Sequence, residues 1–184
     1  MLPRTLSDLC VLLVLCQTPI ATKSLDARLG FTIPAVSWTL TVLKDDLVVE
    51  NSEVRPDDLY GYVSMRGVKK NIVLSLFIEP VSKCKDSKSC RDMLWKGGNP
   101  AWENPRNVVL SEIGDVSCLE LLVPSFRGVP VRQQNMYAEF VQDDFWVDLH
   151  ISKILYKPDE HEMLERIVRS VKFEPKSRPP QKQE

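Results

Sequence analysis

One stretch, residues 140–175, limits the possible folds more than any other. From Phe145 to Leu155 apolar Val147, Leu149 and Ile151 alternate with Asp148, His150 and Ser152, the period of a strand with two unlike faces. Pro158 then opens a helix that runs to Ser170, since a proline at the first helical position gives up an N–H that has no partner there. Asp159, Glu160 and Glu162 lie at the positive end of its dipole, and Arg166 and Arg169 lie nearer the negative end. Met163, Leu164, Ile167, Val168 and Val171 form one apolar stripe, and a short strand over Val171 to Phe173 follows. A helix with one apolar stripe has to bury it, and the adjacent sheet is the natural cover. The expected architecture is therefore α+β, an antiparallel β-sheet flanked by helices.

Upstream the chain reads as strands and turns. FTIP (31–34) leads into Val36, Trp38, Leu40 and Val42, which alternate with Ser37, Thr39 and Thr41. Lys44-Asp45-Asp46 makes a turn, Leu47 to Glu50 is extended, and Arg55-Pro56-Asp57-Asp58 turns again. Leu59 to Arg66 and Asn71 to Glu79 form a hairpin around Gly67. IVLSLFI (72–78) is apolar on both sides, which predicts a mid-sheet strand with both faces covered. After Pro80, Asp86 or Ser87 caps a short helix through Met93, Leu94 and Trp95, stopped by Gly97-Gly98. GGNPAWENP (97–105) is a surface loop around Trp102. Asn107 to Ile113, Val116 to Val123 and Val131 to Val141 are further strands, with tight turns at Gly114-Asp115 and Asp143-Asp144 and a longer connection over Pro124 to Pro130.

The first two dozen residues differ from this pattern. Arg4 precedes an unbroken apolar run, LCVLLVL (9–15), and small or polar residues follow at Gln17, Thr18, Ala21, Thr22 and Ser24. This is the layout of a secretory signal peptide. The run falls far short of the roughly 20 apolar residues a membrane helix needs. Cys16 loosely suggests lipid anchoring, but Leu15 is bulky just before it. Asp8 inside the segment favours the rival reading, a buried N-terminal helix. The expected organisation is a signal peptide over residues 1–24, one domain over 25–175 and a disordered tail over 176–184, with the mature protein secreted or periplasmic.

The full chain of 184 residues has a net charge of −1; without Arg4, Lys23 and Asp8 it keeps 22 basic and 24 acidic residues, net −2. Such a balance leaves no electrostatic footprint for nucleic acid. Cys84, Cys90 and Cys118 remain in the mature chain, and an exported protein can keep a disulfide. Cys84 and Cys90 flank KDSKS and are expected to pair; the alternative is free thiols, with Cys118 as a small hydrophobe in a strand.

Asp148, His150 and Ser152 share one strand face and invite comparison with a catalytic triad. Their geometry opposes it: neighbours on one strand face stand roughly 6.5 Å apart with parallel side chains, whereas a triad needs contacts near about 3 Å. A polar face that binds a ligand, the helix or a loop suits them better. His161 and His150 are the only histidines, without zinc-ligand spacing, and Asp143-Asp144 lacks the rest of a calcium loop, so no metal or cofactor is expected. Trp102 either anchors a partner or tucks its loop onto the body, and Trp95 belongs to the core.

The segment WVDLHISKILYKPDEHEMLERIVRSVKF (146–173) resembles the C-terminal end of the PsbP-like fold, and VSWTLTV, YGYVSM and NIVLSLFIEP stand in compatible order before it. The resemblance spans most of residues 30–174 and is similar to exported bacterial relatives of that fold. It implies an antiparallel sheet between helices, an α/β/α sandwich, and a partner-binding role without shared catalytic residues. The calcium and chloride roles known in that family have no matching ligand positions here. The resulting expectation is an exported, monomeric, non-catalytic binding or accessory module for an unknown protein or small ligand. Trp102, Asp148, His150 and Ser152 are its candidate contacts. Two rivals stand beside it. A hydrolase using the Asp148/His150 face with the 97–105 loop would show a deep pocket converging on a perturbed His150. A structural envelope component would show a large exposed apolar patch.

Protein recovered from the exporting cell is expected to begin near Ser24 or Leu25. N-terminal sequencing that returns Met1 would overturn export.

Overall fold

The computed structural model describes residues 28–55 and 59–176. The signal-like segment and the tail after Lys176 lie outside the described residues. Lys176 itself is tied down: its N–H donates to the Ser37 carbonyl and its Nζ to that of Ile33.

In chain order the elements are β1 (Arg28–Phe31), β2 (Trp38–Leu43), β3 (Leu47–Arg55), β4 (Tyr60–Gly67) and β5 (Ile72–Pro80). Helix α1 (Ser87–Gly97) follows, then β6 (Arg106–Ile113), β7 (Val116–Phe126), β8 (Val129–Gln142) and β9 (Phe145–Lys153). A 3-10 turn over Pro158–Glu160 leads into α2 (His161–Arg169), and β10 (Lys172–Pro175) closes the chain. All pairings are antiparallel. The strands form a large sheet in the order β3-β4-β5-β9-β8-β7-β6 and a small one in the order β1-β2-β10. No described helix is long and apolar enough to cross a membrane.

The main core lies between the two sheets. Leu74, Leu76, Ile78, Val147, Leu149 and Ile151 from the large sheet meet Phe31, Trp38, Leu40 and Val42 from the small one, with Leu164, Ile167 and Val168 of α2 completing it. The chain is thus α+β on an antiparallel sheet, but the expected α/β/α sandwich is not formed. One face of the large sheet carries α1; the other is covered by the small sheet together with α2. The apolar residues of 28–43 bring their own strands to that face, and β10 pairs with β2 instead of joining the large sheet. Close approach of this layer requires Gly61 on β4. A Cβ there would stand 2.3 Å from Ile33 Cγ2 in the β1–β2 connection.

Two further expectations are corrected. Pro124 does not end a strand. Arg127-Gly128, both at positive φ, form a two-residue turn, and β7 and β8 run right up to it. Pro124 stands at the register shift between Val123 and Ser125, beyond Leu122, the last β7 residue paired with β6, so its missing N–H interrupts no ladder bond on that side. β5 is central, but only one of its faces is sealed: Ser75 and Phe77 on the other are half-buried.

Helix α1 is pinned at its start. Asp86 caps it and forms a capping box with Ser89. Cys84 and Cys90 are disulfide-bonded, with Cα atoms 4.9 Å apart, and Cys118 is buried and free. The buried Arg91 guanidinium pairs with Asp92 and Glu112 and donates to the Ser111 carbonyl, which holds the helix to the β6–β7 end of the sheet.

Ile167→Ala should lower unfolding free energy by about 2–5 kcal/mol, the usual consequence of truncating a buried aliphatic side chain. Ile167 is 5% exposed within the main core. A urea-denaturation shift equivalent to less than about 0.5 kcal/mol would mean that the stripe does not pack as described.

Candidate functional site

The alternation of β9 decides which side chains reach the α1 side of the large sheet. With Val147, Leu149 and Ile151 committed to the core, Trp146, Asp148, His150 and Ser152 must project from the opposite face. On that face α1 packs chiefly over β7 and β8. Among the described residues no helix seals the neighbouring part, over β5 and β9, and a half-open cavity of about 400 Å³ lies there.

Its floor is Asp148 and His150 from β9, flanked by Ser75 and Phe77 from β5 and Tyr137 from β8. Trp146 and Glu79 stand at one end, and Leu94 of α1 and Asn99 of the following loop form the wall toward the helix. Three strands thus supply an aromatic and acidic surface, and no lysine or arginine among the described residues lines it.

His150 is stacked flat on Tyr137, with ring centroids 4.1 Å apart and planes 4° from parallel. Its Nε2 lies 3.0 Å from Asn135 Oδ1. The Tyr137 hydroxyl in turn accepts a hydrogen bond from Trp102 Nε1 at 2.9 Å, and Trp102 lies against Trp95. Trp102 is therefore half-buried and tucks its loop onto Tyr137, the second of the two courses open to it. Burial pushes the imidazole of His150 down to about 4, so the ring is neutral at pH 7.

The carboxyl groups behave in the opposite way. Asp148 and Glu139 stand directly opposite each other on β9 and β8. Glu139 is fully buried; its Oε2 accepts from Trp146 Nε1, while its Oε1 has no partner among the described residues. Asp148 is open to the cavity along part of its length, yet its Oδ1 is shielded and likewise lacks a partner. Burial, reinforced by Glu79, pushes Asp148 up to about 7. Burial and the neighbouring Asp148 hold Glu139 well above the usual carboxylate range, against the opposing hydrogen bond from Trp146. Like charges on facing strand positions disfavour double ionisation, so protons are retained here at pH values where free carboxylates have lost them.

Of the residues singled out from the sequence, Asp148 and His150 lie in the cavity, with Trp102 behind Tyr137. Ser152 sits farther along β9, opposite Asn135 and Val73, and does not line the cavity. The imidazole hydrogen bond runs to Asn135, so no Asp-His-Ser relay is assembled. His161 is on α2, on the other side of the large sheet, near Glu120 and Glu165. No cluster of three or more metal-ligating side chains occurs among the described residues. Sequence reasoning missed Glu139, Tyr137, Phe77 and Ser75. The signal was present in the tight Asp143-Asp144 turn: a two-residue hairpin there pairs Gln142 with Phe145, and counting back places Glu139 against Asp148 and Tyr137 against His150.

Compared with known protein families and with curated proteins, the chain matches none. The chemistry of the cavity therefore rests on its own residues.

Asp148 yields a pH prediction. Its folded pKa lies above the usual unfolded value of about 3.9, so the stability it contributes is fully present below about pH 4 and is lost as pH rises to about 7. His150 acts in the other direction, contributing above about 6.5 and losing that contribution as pH falls through about 4. Asp148→Asn removes the first effect and keeps the second. The variant should therefore gain on the wild type between pH 4 and pH 8 by a few kcal/mol, at about 1.36 kcal/mol per pH unit separating folded and unfolded carboxyls. Equal urea midpoint differences at the two pH values would contradict this.

Proposed function

We propose that this chain is an exported, non-catalytic binding module whose cavity on the α1 side of the large sheet takes a small ligand. The observation that carries the reading is the half-open, aromatic-lined cavity onto which Asp148 opens, its Oδ1 without a hydrogen-bond partner among the described residues. A buried acceptor without a donor is costly, and a ligand donor would offset that cost. About 400 Å³ falls in the range of roughly 300–1,000 Å³ typical of small-molecule sites. Support for export comes from the signal-like N-terminus and from the Cys84–Cys90 disulfide, which suits an oxidising compartment.

The hydrolase alternative has one observation in its favour. The cavity converges on His150, and Asp148 has the proton affinity of a group that could exchange protons near pH 7. The shift of His150 runs the wrong way for a base, however: an imidazole that ionises near 4 holds a proton poorly at neutral pH. Its face is stacked on Tyr137 and its Nε2 is engaged by Asn135, so it is held as a wall and not as a mobile proton carrier.

A set of soluble fragments of mixed charge, followed through the Trp146 indole resonance in NMR, tests the binding reading. Several should perturb it at millimolar concentration, and Ser75→Trp, which fills the cavity from β5, should weaken them at least tenfold. No perturbation by any fragment would overturn the reading. Turnover of activated esters or glycosides that Asp148→Asn abolishes would replace it with the enzyme.

A further inference from the structure

Resting on that reading, we infer that the ligand is a small organic cation bearing an N–H donor, an alkyl- or arylammonium group, with Asp148 as its counter-ion and aromatic rings as its walls.

Three independent features converge on this class. The first is the balance of charge. Glu79 and Asp148 line the cavity, Glu139 lies directly beside Asp148, and none of the described lining residues is basic; the other titratable residues among them are His150, neutral at pH 7, and the phenol of Tyr137. An anion would meet carboxyl groups without a cationic partner. The second is the unsatisfied acceptor. Asp148 lines the cavity with part of its side chain accessible, and its Oδ1 receives no hydrogen bond among the described residues, so the carboxyl keeps accepting capacity for a ligand N–H. Glu139, whose Oε1 is also unpartnered, forms no ion pair with a lysine or arginine among the described residues. The third is the wall. Phe77, Trp146 and Tyr137 border the same cavity from three different strands. Aromatic faces attract an ammonium group through their quadrupoles, most strongly where water is excluded.

The two carboxyls also give the site a proton-linked affinity. Asp148 holds its proton up to about neutral pH. An ammonium group favours the ionised form, so binding displaces that proton. The groups facing Asp148 are Glu79 from β5, Glu139 and Tyr137 from β8 and His150 along β9; α1 and its following loop contribute only Leu94 and Asn99. None of these supplies a competing positive charge at pH 6–8. Affinity for an ammonium should therefore rise about tenfold between pH 6 and pH 8, following the ionised fraction of a group that titrates near 7, while affinity for a neutral molecule of the same shape should not.

Benzylamine, benzyl alcohol and benzoate have one shape and three charges, and calorimetric titration of the mature full chain with each at pH 6 and pH 8 separates the possibilities. The expected result is benzylamine at least tenfold tighter than benzyl alcohol at pH 8, benzoate weakest, and the preference for the amine lost in Asp148→Asn, with far-UV circular dichroism confirming that the variant is folded. Phe77→Leu, which keeps apolar bulk but removes a ring face, should weaken benzylamine more than benzyl alcohol. Equal binding of the amine and the alcohol, or tighter benzoate, would overturn the cation while leaving the cavity as a ligand site. Absence of binding by all three and by every fragment of the mixed-charge set would overturn the binding module itself, and the cation with it.

Discussion

The two-sided commitment of β9 is the constraint on which the rest of the structure depends. Val147, Leu149 and Ile151 must enter the main core, where they are fully buried. Because side chains alternate strictly along a strand, that commitment sends Asp148 and His150 to the other face, whatever the expense of placing a carboxyl there. A slip by one residue would bury Asp148 and His150 under the small sheet and expose the aliphatic set. Neighbouring β5 and β8 repeat the division, with Leu74, Leu76, Met136 and Ala138 inward and Ser75, Phe77, Tyr137 and Glu139 outward. The cavity surface is therefore the reverse side of the core.

What turns this reverse side into a cavity is incomplete cover. Helix α1 is short, and its anchors all lie toward the β6–β7 end of the sheet: Arg91 reaches Glu112 and the Ser111 carbonyl, and Leu94 and Trp95 pack near Leu119, Leu121 and Tyr137. The Cys84–Cys90 bond and the Asp86 cap fix where the helix begins after β5. The following loop folds back through Trp102 onto the Tyr137 hydroxyl. Part of the face is sealed in this way and part is left open, and Asp148 stands in the open part beside the buried Glu139. The opposite proton affinities of His150 and of the two carboxyls share one cause, since burial disfavours whichever form is charged. A neutral imidazole beside proton-retaining carboxyls is a low-charge resting state that a cationic ligand would alter.

Much of this was legible beforehand. The alternation of β9, the apolar stripe of α2, the capped α1 between Cys84 and Trp95, the hairpin whose turn follows Gly67, and those at Gly114-Asp115 and Asp143-Asp144 all rest on local patterns. Local patterns survive folding when tertiary packing agrees with them, and here it does. The candidate site was half legible: Asp148 and His150 could be placed on one face, but Ser152 does not reach the cavity, and Glu139 and Tyr137 emerge only when the β8–β9 register is counted from the turn. Phe77 was read as sealed within a doubly covered strand, because an apolar run does not reveal that one of its faces is left uncovered.

The sequence by itself determined most of the elements, the facing of β9 and α2 and the α+β class, because period, caps and turns act between residues a few positions apart. Only the tertiary structure decided the rest. The small sheet takes the layer expected for a helix because β10 meets β2 from the far end of the chain, and Ile33 can settle on β4 only where Gly61 has no side chain. The pairing of Asp148 with Glu139 follows from the register that the Asp143-Asp144 turn sets, but the cavity beside them depends on where α1 lands. That is settled by burial summed over many distant contacts, which no short stretch of sequence encodes.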